Sequence, residues 1–133
     1  MIRRAFRGRV RGSGDEGIST VEAAILFPVV ILLMLAMLQA GIWYHARTAA
    51  LAAAQEGGRA ATAAGGTVDD ATAAAQHFLA SKAGGEVHGA SVEVSASDQT
   101  VTVVVKGTST SLVPGWKPQV TATTKTPVER LTR

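Results

Sequence analysis

From Ala23 through Leu38 the chain carries no charged and no polar residue, and Pro28 is the one helix breaker within that run. Gln39 is the only polar interruption before Ile42, Trp43 and Tyr44. About 20 such residues, at 1.5 Å of rise each, span a hydrocarbon core of roughly 30 Å. With 133 residues in all, the chain has room for one small domain beside this segment. The expected organisation is a basic leader over 1–17, a transmembrane and packing helix over 18–44, and an extracytoplasmic domain over 45–133.

Charge sets the direction of insertion. Residues 1–17 hold Arg3, Arg4, Arg7, Arg9 and Arg11 against Asp15 and Glu16, a balance that accounts for the whole formal charge of +3. Basic residues stay on the cytoplasmic side, while Trp43 and Tyr44 follow the run where amphipathic rings favour headgroups. The expected product is a single-pass membrane protein, N-terminus in the cytoplasm and C-terminal domain outside. A cleaved secretory signal is the competing account, since Ala36 to Ala40 imitates a small-x-small site. Such a signal usually has an apolar region of about 7–15 residues, shorter than this one.

Composition excludes several classes. The absence of cysteine removes disulfides and thiolate metal sites, and the absence of asparagine removes N-linked glycosylation. Hydrophobic residues reach 47% while aromatics are only 5%, so alanine and valine supply much of the core and the soluble part should be thinly packed. His45, His77 and His88 are too dispersed for a local metal pair. Asp69 and Asp70 fit the first turn of a helix better than a catalytic pair, because adjacent helical positions diverge. The glycine pairs lack the G-K-S/T of a phosphate loop. No enzyme, cofactor, metal, nucleic-acid or small-molecule substrate site is expected.

Glu22 stands at the threshold of the apolar run. Position alone gives it a plain role, facing the helix dipole in the headgroup region at small cost. Its neighbours suggest another. Gly17 lies five residues earlier, after the basic leader, and a cut after Gly17 would make Ile18 the first residue and Glu22 the fifth. Pro28, without an N–H, should bend or loosen the helix about one turn from its start, which a membrane helix tolerates.

Through "GISTVEAAILFPVVILLMLAM" and the later "ARTAALAAAQEGGRAA" the chain resembles the type IV pilin-like proteins, and within them the TadE-like pseudopilins of tight-adherence (Tad, or Flp-type) pilus systems. The resemblance covers about the first half of the chain. It implies prepilin-peptidase processing between Gly17 and Ile18, and Glu22 as the group that sets assembly register. It also implies a conserved-type stretch after the membrane helix, to which Glu56, Gly57 and Arg59 correspond. Gln55 and Gly58 depart from that stretch, where the family has arginine and alanine. Ala23 departs too, standing where major Flp pilins place an aromatic residue, and those pilins are much shorter. The implied role is therefore a non-enzymatic minor pilin or pseudopilin, in or at the base of a surface pilus. Implied partners are the membrane, the prepilin peptidase, other pilin-like subunits and the Tad assembly platform with its ATPase.

Beyond the membrane, His45 to Ala64 reads as a continuing helix, with Gly57-Gly58 a weakened turn and Gly65-Gly66 a stop. Thr67 and Asp70 form a capping-box variant that opens a second helix over Val68 to Lys82, apolar at Ala71, Ala75, Phe78 and Leu79. The period then becomes two. Ser91 to Ser95 and Thr100 to Lys106 form a hairpin about Ala96 to Gln99, and Gln119 to Thr126 a third strand. The "VPGWKP" between them is a loop, with Trp116 expected to fold back on the sheet. The fold class is α+β with a pilin-like order: long helix, short helix, small antiparallel sheet. The alternative function is an uncleaved, single-pass anchored binding protein of the cell envelope.

Overall fold

The computed structural model describes residues 14–128, with side chains described from Ser19 onward. The leader arginines Arg3 to Arg11 lie outside the described residues. The elements are α1 (Gly14–Thr62), α2 (Val68–Lys82), β1 (Val87–Ala96), β2 (Thr100–Ser109) and β3 (Gln119–Pro127). This is the expected α+β order. The chain divides into two compact units between Ala36 and Met37.

The described part of the first unit is helix alone. Every side chain from Ser19 to Ala36 is exposed, and Pro28 lies inside α1 without ending it.

In the second unit β1, β2 and β3 pair in sequence order as an antiparallel meander. The period-two pattern sends Val101, Val103, Val105, Val120 and Ala122 to one buried face. The opposite face carries exposed polar residues, with Lys106 Nζ 3.0 Å from Glu93. An antiparallel sheet with one solvated face needs this alternation. The buried face meets Ala46, Ala50, Ala53 and Ala54 of α1, together with Leu79 and Ala83, in one core. The largest fully buried side chains are valines, so the core is thin, and helices and sheet approach closely through small residues.

α2 begins as the capping box dictates. Thr67 Oγ1 accepts from the Asp70 N–H at 3.1 Å, and Asp70 Oδ2 accepts from the Thr67 N–H at 2.9 Å. Ala71, Ala75 and Leu79 are its buried face.

The sheet departs from the sequence reading at its first strand and at Trp116. β1 starts at Val87, earlier than the alternation shows, because an irregularity between His88 and Ser91 breaks the period. Trp116 does not fold back on the sheet; it stays half exposed on the β2–β3 loop.

Candidate functional site, an apolar helix and the seam that follows it

From Ser19 to Leu38 α1 is exposed on every side, although Val21, Ile25, Phe27, Leu32, Leu35 and Met37 are among its side chains. A helix apolar all round is suited to lipid or to burial among other helices. By length and composition it fits a single-pass membrane anchor. Glu22 is exposed one turn before Leu26. Gly17 and Ile18 are within the helical backbone.

The polar interruption has a structural use. Gln39 is 7% exposed. Its Nε2 donates to the Thr110 carbonyl at 3.1 Å, and its Oε1 accepts from the Leu112 N–H at 2.7 Å. Both ends of the amide are therefore spent on the loop after β2. Four residues on, the Trp43 indole N–H donates to the Gln119 carbonyl at 2.9 Å, and the Arg47 guanidinium lies 5.7 Å from the ring centroid. Trp43 packs partly against the core, whereas Tyr44 is exposed.

Beyond the core contacts of Ala46, Ala50, Ala53 and Ala54, α1 forms a seam at Gly57 and Gly58. A Cβ on Gly57 would lie 2.8 Å from the Ala71 carbonyl oxygen and 3.3 Å from both the Ala75 Cβ and a Val103 methyl. A Cβ on Gly58 would lie 2.5 Å from Thr126 Oγ1. Glycine here lets α2 and the sheet touch the α1 backbone, and the helix runs through both residues to Thr62. Glu56 and Arg59 approach to 3.5 Å but remain exposed, a surface pair worth roughly 0.3 kcal/mol. Within the family-like stretch, Gly57 therefore has the packing role and its charged neighbours face solvent.

Gly17, Ile18, Glu22, Pro28, Glu56, Gly57 and Arg59 all lie on α1, although the sequence reading put Gly17 in the leader and Gly57 at a weakened turn. That reading missed Gln39 as a clamp and Gly57 as a contact point. The signal for Gln39 was its isolation as a single amide in an apolar run. No group of three His, Cys, Asp or Glu able to hold a metal occurs among the described residues.

An apolar helix starting near Gly17, with a glycine seam ending near Arg59, coincides with a known sequence family. Residues 17–59 match the family model of TadE-like proteins. The matched segment is about a third of the chain and is consistent with a TadE-like pilus-assembly protein. It takes in Glu22, Pro28, the whole exposed apolar run, Gln39, Trp43 and Gly57. The second helix and the sheet lie beyond it. No curated protein and no solved structure matches the chain.

Proposed function

We propose that this chain acts without enzymatic activity as a minor pilin or pseudopilin in the assembly of a Tad-type pilus. The observation that carries this reading is the extent of the TadE-like match, which begins at Gly17 and includes Glu22 and the apolar helix in one piece.

The mechanism follows from charge. A prepilin peptidase hydrolyses the Gly17–Ile18 bond: water adds to the Gly17 carbonyl, Gly17 leaves as a carboxylate, and Ile18 gains an α-amine. Loss of the leader removes the five arginines that hold the N-terminus at the cytoplasmic face. The new amine is a cation at ordinary pH. An ionised Glu22 close to hydrocarbon is costly, by about 2.5–3.5 kcal/mol toward a bilayer centre. A neighbouring subunit staggered along the helix offsets that cost by setting its Ile18 amine against Glu22. The pairing is satisfied at one stagger, so the carboxylate fixes register, as a buried polar residue does in a coiled coil. Other pilin-like subunits and the Tad platform with its ATPase are the partners in this step.

Replacing Gly17 with valine tests the processing step. The expected result is a membrane-retained precursor longer than the wild-type product by the leader. Equal lengths for wild type and Gly17→Val would overturn processing and leave an uncleaved anchored protein.

A further inference from the structure

The loop between β2 and β3 turns three large apolar side chains outward within five residues: Leu112, Val113 and Trp116, at 41%, 52% and 50% exposure. Single exposed apolar residues are ordinary, whereas a cluster signals something that covers it. The loop is held in shape. The Ser109 N–H donates to the Pro118 carbonyl at 3.0 Å and closes its mouth. The Val113 N–H donates to Ser111 Oγ at 3.0 Å. The Trp116 N–H reaches the Val113 carbonyl at 3.3 Å across Pro114-Gly115, with Gly115 at φ +80°, the proline–glycine pattern of a type II turn. The side chains are thus presented by a defined turn.

The loop's level along the helix identifies its occupant. Gln39, the first polar residue after the apolar run, holds Thr110 and Leu112 with both ends of its amide. Thr110 also borders an apolar groove with Met37, Leu38, Gly41 and Ile42. Whatever layer Leu38 and Gln39 occupy, Leu112 occupies too. For a helix whose apolar run ends at Leu38, that layer is the boundary between acyl chains and headgroups.

We propose that this loop is a second membrane anchor, inserting Leu112, Val113 and Trp116 into the headgroup–acyl boundary of the leaflet on the C-terminal side of the helix. This rests on the reading of residues 19–38 as membrane-spanning. Trp116 is suited to that depth by an apolar body and a single N–H donor. Lys117, exposed beside it, supplies a cation at the level of lipid phosphates.

The absence of cysteine makes a single introduced thiol unique, so nitroxide labels report depth directly. The full chain, carrying Val113→Cys, Lys125→Cys or Leu32→Cys, is reconstituted in phosphatidylethanolamine–phosphatidylglycerol vesicles. Collision with oxygen is then compared with collision with a water-soluble nickel chelate. Lys125 serves as the distant reference, because neighbouring Thr124 and Thr126 face Gly58, roughly 28 Å along the helix from Gln39. The expected oxygen-to-nickel ratio at 113 is several-fold above that at 125 and approaches that at 32. A ratio at 113 equal to that at 125, with 32 reporting hydrocarbon, would overturn the loop anchor alone. Water at 32 would overturn the spanning helix and the anchor with it. Shielding at 113 that appears only at high protein-to-lipid ratio would assign the loop to a second copy and also overturn the proposal. An unlabelled check compares quenching of tryptophan emission by brominated lipid in wild type and Trp116→Phe. The anchor requires quenching to fall in the variant, which retains only the contribution of Trp43; unchanged quenching would overturn it.

Discussion

Gly57 decides how near α2 comes to α1. An added methyl would meet a backbone oxygen at 2.8 Å, which no side-chain rotation relieves. Alanine gains about 1 kcal/mol of helix propensity over glycine, while overpacking costs about 1–3 kcal/mol. Gly57→Ala is therefore expected to lower stability, by about 1 kcal/mol, in thermal unfolding of the detergent-solubilised protein. Gly41→Ala, where nothing lies within 4 Å, is expected to leave stability unchanged or raise it. At Asp70 the Thr67 hydroxyl, and then the Thr67 N–H, hold the carboxyl below its usual range. A carboxyl lowered on folding stabilises above its unfolded value and loses that contribution as pH falls through the folded one. Unfolding followed from pH 5 downward should show a loss below about pH 4 that Asp70→Ala reduces. Neither glycine effect was legible in sequence: propensity alone makes Gly57 a weak turn, and a close approach involves residues that only the fold brings there.

The elements differ in how openly they announce themselves. α2 matches its sequence reading at both ends, because a capping box and a 3.6-residue period are local signals. β2 and β3 were legible because alternation persists along them, and β1 only in part, because its irregularity after His88 hides the first pairs. The ties from Gln39 to Thr110 and Leu112, and from Trp43 to Gln119, span more than 70 residues, and no local pattern encodes them. Replacing a buried, doubly bonded amide with leucine leaves a carbonyl and an N–H to find other partners, at a cost of about 1–3 kcal/mol. Gln39→Leu should accelerate hydrogen exchange at the Leu112 amide while the core strands Val101 to Val105 keep their protection. Equal exchange in both proteins would show that the clamp does not hold the loop.

At the scale of the molecule, the chain concentrates its large aliphatic side chains in an uncovered helix and builds its domain core mainly from alanine and valine. That division suits a protein whose helix is covered by lipid first and by other helices later. In the proposed function Glu22 links the two stages. Glu22→Ala is expected to leave cleavage intact and abolish pilus assembly, read as surface pilin by shear fractionation. Normal assembly in that variant would return Glu22 to an ordinary helix-start carboxylate. The decisive measurement is the intact mass and N-terminal sequence of the membrane-extracted protein, with and without the host's prepilin peptidase. The account predicts a mature chain beginning at Ile18 only when the peptidase is present. A chain still beginning at Met1 in both strains would contradict it.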